Sequence, residues 1–513
     1  MLESLEAFVQ GFLNYADLFR FGFLMLGVLV GIFIGVVPAL GGIVAMSLLL
    51  PLVFGMDKIA ALSMLVAIHA ISGTGDNITS ILMGLPGSGP AAITLLDGFP
   101  MTRKGEPGKA LGAMMCADTM GALLGVGLAF VMIPIVRPLV MSFGNSELFF
   151  LILMGLSFLA ILSKESPVKG LMAGFTGIIL SLVGLQHSTG VDRFAFGKDF
   201  LLGGLDIVPV ILGLFAGAEM FQMAVFKETI VPGGVVKAGK ELRRQFFAGV
   251  KEVFQHKWLW FRSCVLGYVM GLIPGIGSEV AVWVSYGQAK QTSKHPELFG
   301  TGCIEGIIAP ESTNNAKEGA SLLTTLCLGL PSGVAMAILL GALLLQGVIP
   351  GPSILTTDLE LTFTLIWGLA LANIIGAVLC FYIIGYLNLT WLTTLPPRVL
   401  VPTILSVVYL GSYTTDNQIA AIGVTIVFSI IGLVMKRGGY SRAAMVLGFI
   451  LGRFFEGYFF LALQTMGPLF FLRPASLGII VIIISLYIYR PIQSFMQRRR
   501  GRSALEEIAG EEP

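Results

Sequence analysis

Apolar stretches near or above the about 20 residues that a helix needs to cross a hydrocarbon core recur from Phe21 to Tyr489, separated by short polar segments. This pattern predicts an all-α fold, a polytopic helical bundle in a membrane, because a membrane helix satisfies its own backbone polar groups. The spacing of the stretches leads us to expect about 10–14 membrane segments. The most polar internal stretch, residues 227–257, carries Lys237, Lys240, Arg243, Arg244 and Lys251 and divides the chain. The division gives a polar, amphipathic N-terminal segment at 1–20, a first membrane unit at 21–226, a basic cytoplasmic linker at 227–257, a second membrane unit at 258–490 and a tail at 491–513.

Basic clusters set the expected orientation, because cytoplasmic loops of membrane proteins are rich in Lys and Arg. The linker, Arg103 with Lys104 and Lys109, Lys164 with Lys169, and Lys436 with Arg437 and Arg442 are read as cytoplasmic. So is the tail with Arg498, Arg499, Arg500 and Arg502, which puts the C-terminus inside. The N-terminal segment carries Glu3, Glu6 and Asp17 before its first basic residue. It is placed outside, and it lacks the basic start of a cleaved signal peptide. The two membrane units then begin in opposite directions.

Composition agrees: 55% of the 513 residues are hydrophobic, only 12% are charged, and the mean hydropathy is +0.88. Chains folded in water carry about 25% charged residues. With 32 Lys and Arg against 30 Asp and Glu, scattered in short clusters, the chain is not a nucleic-acid binder. The five cysteines, Cys116, Cys264, Cys303, Cys327 and Cys380, are far apart and read as packing residues. No metal site is expected. Glycine is the feature that changes the picture, since 65 residues of it lie largely inside apolar stretches, where it permits close packing or interrupts a helix.

These glycines belong to an internal repeat. Gly31, Gly35, Pro38 and Gly41 recur with the same spacing as Gly267, Gly271, Pro274 and Gly277, at an offset of 236 (274 − 38). The run Thr79 to Pro86 recurs as Thr324 to Pro331, at an offset of 245 (331 − 86). Farther on, Ala117-Asp118-x-x-Gly121-Ala122 matches Ala372-Asn373-x-x-Gly376-Ala377. Duplicated halves with Gly/Pro-interrupted segments in corresponding positions are the pattern of secondary transporters, whose substrate site lies where the breaks meet. With the charge-based orientation, the repeat is inverted, and the interruptions are expected to form broken helices or re-entrant hairpins around Gly35, Pro38, Gly41, Gly271, Pro274, Gly275 and Gly277.

At these residues the chain resembles the large membrane subunit of the tripartite tricarboxylate transporters, the TctA family. The first half contributes Gly35-x-x-Pro38, Ile78-Thr79-x-Ile81-Leu82 leading to Pro86-Gly87, and Leu96-Asp97-Gly98-Phe99-Pro100-Met101. The second contributes Ile273-Pro274-Gly275-x-Gly277, Ser293-Lys294-His295-Pro296-Glu297, Ala309-Pro310-Glu311 and Asn314-Asn315-Ala316. The likeness runs roughly from Gly27 to Leu463. It implies a permease of the bacterial or archaeal cytoplasmic (inner) membrane that imports tricarboxylates such as citrate by cation symport. It also implies two partners, a small membrane subunit (TctB-type) and an extracytoplasmic solute-binding protein (TctC-type); a homo-oligomer is compatible with it. Against the family pattern, Asn77 stands where serine is common, Gly84 where asparagine is common, and Pro331-Ser332 in place of a second Pro-Gly. These changes leave the particular carboxylate open, and a non-carboxylate anion with it.

The residues themselves fit that class. No phosphate loop appears, since Gly105-Glu-Pro-Gly108-Lys109 is followed by Ala110, so an ion gradient, Na⁺ or H⁺, is the expected energy source, with no cofactor and no enzymatic activity. Helix N-termini exposed at a break offer free N–H groups and a positive dipole end to a carboxylate. Candidate substrate ligands are therefore Asn77, Thr79, Ser80, Gly84, Pro86, Gly87 and Ser88 in the first half, with Thr324, Thr325, Pro331, Ser332 and Gly333 in the second. The bland alternative is a pair of kinks whose hydroxyls re-satisfy the backbone. Ser312, Thr313, Asn314 and Asn315 offer neutral oxygens to a hard cation. With Glu311, Lys317 and Glu318 beside them they also fit a surface loop. Among the acids in or near apolar stretches, Asp76, Asp118, Asp206, Glu219, Glu279, Glu305 and Glu456, Asp118 is a candidate proton carrier because its repeat mate is Asn373. His69 reads as a hydrogen-bonded core residue. One rival reading is an intramembrane aspartyl protease, from the Gly-x-Gly-Asp match at Gly73-Thr74-Gly75-Asp76; another, a passive channel, is disfavoured by the broken-helix repeat.

Overall fold

The computed structural model describes residues 2–37, 41–84, 88–161, 167–186, 191–226, 239–274, 277–386, 397–416 and 418–485. Within them the chain is helical, apart from a small antiparallel pair, β1 (Gly184–Leu185) and β2 (Asp192–Arg193). The first half contains α1 (Leu2–Leu13), α2 (Leu18–Val36), α3 (Gly41–Leu49), α4 (Lys58–Met83), α5 (Ala91–Arg103), α6 (Pro107–Met141), α7 (Asn145–Ile161), α8 (Pro167–Ser181), α9 (Asp199–Leu202), α10 (Ile207–Leu212) and α11 (Ala218–Phe226). The second contains α12 (Lys240–Gln255), α13 (Lys257–Gly271), α14 (Ser278–Thr292), α15 (Glu305–Leu328), α16 (Val334–Leu345), α17 (Leu359–Tyr386), α18 (Pro397–Asp416), α19 (Ile419–Arg437) and α20 (Arg442–Met466). Seven helical segments among the described residues are long and apolar enough to span a bilayer, between them Leu18–Val36, Lys58–Met83, Pro107–Pro138 and Leu359–Ile383. Others, such as the 12-residue α16, reach only ~18 Å and can cross no more than part of a ~30 Å core.

The N-terminal segment is itself a helix. Phe8 of α1 stacks among Phe130, Phe363 and Trp367, and the Trp367 indole donates to the Phe8 carbonyl at 3.1 Å. Asp17 caps α2, accepting from the N–H groups of Phe19 and Arg20, so the first long span starts at Leu18, three residues before the boundary expected at 21.

Two long helices form the centre. Residues Gly306 to Cys327 of α15 are all buried, and α4 is buried along most of its length. Glycines let their neighbours approach. Gly27, Gly31 and Gly35 of α2 lie against the carbonyls of Met64, Ile68 and Ser72 of α4, while Gly267 and Gly271 of α13 lie against those of Thr313 and Lys317 of α15. The carbonyls that receive the repeated glycines are themselves repeat mates (313 − 68 = 317 − 72 = 245). Gly35 and Gly271 are thus packing residues in the last turn of their helices; they do not make the break, as the sequence reading supposed.

The halves also exchange partners. In α6 of the first half, Gly121 and Gly125 pack on the carbonyls of Ser312 and Ala316 in α15, while in α17 of the second half Gly376 packs on Ile71 in α4. Between α4 and α15 the contacts are Asn77 with Glu311, Gly73 with Asn314, and His69 with Glu318. Residue number rises along one helix as it falls along the other, so these two equivalent helices run antiparallel. Exchanging the halves carries the His69–Glu318 contact onto the Asn314–Gly73 contact (314 − 69 = 318 − 73 = 245). The operation that relates the halves therefore reverses chain direction, and the repeat is inverted.

Candidate functional site

The crossing of α4 and α15 gathers the interrupted segments. The α13 helix ends at Gly271 against the middle of α15, and α14 starts at Ser278, whose hydroxyl reaches Glu318 at 3.2 Å. Ser285 then donates to the Ala309 carbonyl at 2.9 Å, so α14 returns along α15. Likewise α2 ends beside Ser72, and α3 starts with Gly42 against the same Ser72 and returns along α4, with Met46 and Val66 lining one cavity. In each pair the described ends of the two helices meet at the crossing. Residues Pro38 and Gly275 lie outside the described residues; Gly41 opens α3 and Pro274 follows α13.

The central helices are themselves broken. Gly84 ends α4 and its repeat mate Gly329 ends α15, both left-handed, at φ 71° and 65°. Glycine adopts that conformation without strain and asparagine tolerates it, which accounts physically for Gly84 where asparagine is common. After each stop the chain turns back before a short helix begins. Ser88 lies at the Asp76 carboxyl and Gly89 meets the Glu279 side chain. Gly333 caps α16 next to Gly277. The N-termini of α3, α5, α14 and α16 thus converge on the crossing, each bringing unpaired N–H groups and the positive end of its dipole.

The predicted ligands fall into two sets. The hydroxyls of Thr79, Thr324 and Thr325 donate to carbonyls of their own helices, which is the bland reading for these three. Ser80 and Ser332 are buried, with hydroxyls that have no partner among the described residues. Asn77 donates to Glu311 at 2.6 Å, while its Oδ1 has no partner among the described residues. Pro86 and Gly87 lie outside the described residues, and Pro331 leads into the α16 cap.

The Ser312 to Asn315 run is not a surface loop and offers no exposed carbonyls, because it lies inside α15. Ser312 donates to the Ile308 carbonyl, Thr313 to Ser263 and Ser285, and Asn315 to Asn373 at 2.8 Å; Asn314 faces Gly73. The reading did not place the ionisable residues of this helix at the site. Glu318 joins Lys317 at 3.0 Å and His69 at 2.6 Å, all buried or nearly so. Glu311 accepts from Asn77 and from Thr94. Asp118 on α6 accepts from Thr74 at 2.5 Å. The signal was present, since Glu311, Asn314, Asn315 and Glu318 recur at helical spacing on one face.

Asp97 was also missed. Its Oδ1 accepts the N–H groups of Gly300, Gly302 and Cys303 at 2.8–2.9 Å, and its Oδ2 accepts the Tyr286 hydroxyl at 2.9 Å. This buried carboxyl ties α5 to the loop before α15, a first-half helix to a second-half loop. Other acids take ordinary partners: Asp206 caps α10, Glu219 pairs with Lys436 and Arg442, and Glu456 pairs with Arg193. The five cysteines are free. In the protease-like motif, Gly73 and Gly75 serve packing, against Asn314 and Gly35.

Residues 21–447 match the family described as the tripartite tricarboxylate transporter TctA family. The chain belongs to this family. TctA proteins are membrane subunits of tripartite tricarboxylate transporters, and the apolar spans make this chain a multi-pass membrane protein. An Agrobacterium vitis protein described as an uncharacterized 52.8 kDa protein in the TAR-I ttuC′ 3′ region is 33% identical over 445 residues, covering 84% of both chains. Another A. vitis protein, uncharacterized and in the TAR-II ttuC′ 3′ region, is 36% identical over 192 residues, covering 37% of this chain and 78% of the other. No solved structure matches.

Proposed function

We propose that this TctA-family chain forms the transport path of a binding-protein-dependent system that imports a tricarboxylate or related carboxylate with Na⁺ or H⁺. The observation that carries the reading is the convergence of four helix N-termini on the buried crossing of an inverted repeat. A carboxylate entering there exchanges its water shell for N–H donors around Ser88, Ser278 and Ser332–Gly333. Lys317 supplies a buried ammonium at the crossing, held by Glu318 and Ser321. A small membrane subunit of TctB type and an extracytoplasmic binding protein of TctC type deliver the anion from outside. The chain resides in the cytoplasmic membrane with its C-terminus inside, and movement of the α2–α3 and α13–α14 pairs against the central helices exposes the anion to the cytoplasm.

The test is uptake of labelled di- and tricarboxylates into proteoliposomes holding this chain and both partners, with and without an inward Na⁺ or H⁺ gradient. Gradient-driven accumulation of one acid supports the reading. Equal flux without any gradient, or none for any carboxylate, refutes it.

A further inference from the structure

Carboxylates buried in the bundle must be compensated, because an uncompensated charge away from water is costly. The fold does this in two ways. Asp97 receives four hydrogen-bond donors. Glu318 has Lys317 and His69 beside it. Asp118 has neither. It is 1% exposed and accepts one hydrogen bond, from Thr74; its Oδ1 has no partner, and among the described residues it joins no ion pair.

A second orphan lies on the next turn of α4. Thr74 and Asn77 stand one turn apart on one face of α4. Asn77 is 2% exposed, and because its amide nitrogen is committed to Glu311, its Oδ1 is left as an acceptor without a donor. Glu311 has both oxygens engaged, by Asn77 and by Thr94 in the first turns of α5. It fixes the direction of the Asn77 amide, and its carboxyl lies at the positive end of the α5 dipole.

We propose that Asp118, Thr74 and Asn77 bind a dehydrated monovalent metal cation of Na⁺ size, with Glu311 as a positioning residue. Every donor is oxygen, which selects a hard ion. One carboxylate with neutral oxygens balances a single positive charge, and the burial of Asp118 and Asn77 disfavours Mg²⁺, which keeps several waters. The site differs from the Ser312–Asn315 run, whose Ser312, Thr313 and Asn315 side chains are engaged elsewhere. It rests on the transporter reading only in giving the ion a coupling role.

The test uses the purified full-length chain in detergent without substrate, heated in NaCl, KCl or choline chloride at constant ionic strength. A ligand that binds the folded state raises the melting midpoint in proportion to ln(1 + [L]/Kd). The expected result is a Na⁺-selective rise that follows this logarithmic dependence, disappears in Asp118→Asn and Thr74→Val and persists in Thr74→Ser. In Glu311→Gln the Kd fitted to the Na⁺ dependence should rise about tenfold, equivalent to about 1.4 kcal/mol. Absence of a Na⁺-selective rise in the parent chain, a rise that survives Asp118→Asn in a folded, monodisperse sample, or stabilisation by acidification alone would overturn the proposal. A Na⁺ effect with no carboxylate uptake would sustain the site and refute the transport reading, so the two fail separately.

Discussion

Replacing Asp97 by alanine removes the acceptor of four hydrogen bonds at one stroke, leaving the N–H groups of Gly300, Gly302 and Cys303 and the Tyr286 hydroxyl without it. A hydrogen bond to a charged group contributes about 1.5–3 kcal/mol, and a buried donor left unpaired loses about as much. Bonds in one cluster are not additive, so Asp97→Ala should cost about 4–6 kcal/mol. Asp97→Asn keeps a carbonyl oxygen for the three N–H groups but makes those bonds neutral and roughly half as strong, a cost of about 1–2 kcal/mol. Tyr286→Phe removes one bond, at a similar cost. In detergent the assay is the apparent melting midpoint at a fixed scan rate, with proteolysis of the 296–304 segment as a local readout. The order should be parent chain, then Tyr286→Phe and Asp97→Asn together, then Asp97→Ala. Adding Tyr286→Phe to Asp97→Ala should cost less than it does alone. Equal midpoints for Asp97→Ala and the parent chain, or full additivity with Tyr286→Phe, would refute the clamp.

Three further outcomes follow from the geometry. Gly267→Val drives a side chain into the Thr313 carbonyl and should cost about 1–3 kcal/mol or more, whereas Gly287→Ala meets nothing and should melt like the parent chain. A Cβ at Gly84 would come within 3.0–3.1 Å of the Phe99 ring, so both substitutions should lower the midpoint, Gly84→Asn less than Gly84→Val because asparagine tolerates the left-handed φ of 71°; a reversed order would remove the left-handed stop. Burial, with Asp97 and Glu305 adding negative charge, pushes the Cys303 thiol above the usual cysteine range. The thiolate is therefore scarce near neutral pH. In a variant retaining only this cysteine, maleimide labelling should be slow at pH 7–8 and keep rising at higher pH, and Asp97→Asn should shift the curve toward lower pH.

What the sequence showed best was what it repeats. Gly31 and Gly35, and Gly267 and Gly271, were legible as landmarks because each pair must meet a backbone carbonyl, and a glycine requirement leaves a residue-level trace. Inversion was inferred from basic clusters and is carried in the structure by the antiparallel pairs Asn77–Glu311 and His69–Glu318. Polar residues within a central helix were harder to place. Ser312 to Asn315, flanked by Glu311 and Lys317, read equally well as a surface loop because local polarity does not disclose that helices enclose α15 on every side. Asp97 passed unnoticed as a ligand of anything because its donors lie 189–206 residues away, beyond any local pattern. Thr79, Thr324 and Thr325 looked like donors to a ligand, yet a threonine in a membrane helix readily turns its hydroxyl back to its own carbonyls.

The central claim, that the carboxylate passes between the helix N-termini at the crossing, is tested most directly by filling that space. Gly333 has extended backbone that any residue adopts, and among the described residues a Cβ there would meet only the Gly277 Cα, at 3.6 Å. Uptake of the transported acid should therefore survive Gly333→Ala and be lost in Gly333→Trp, with protein level and melting midpoint close to those of the parent chain. Normal uptake by a folded Gly333→Trp protein would place the path elsewhere and contradict the account.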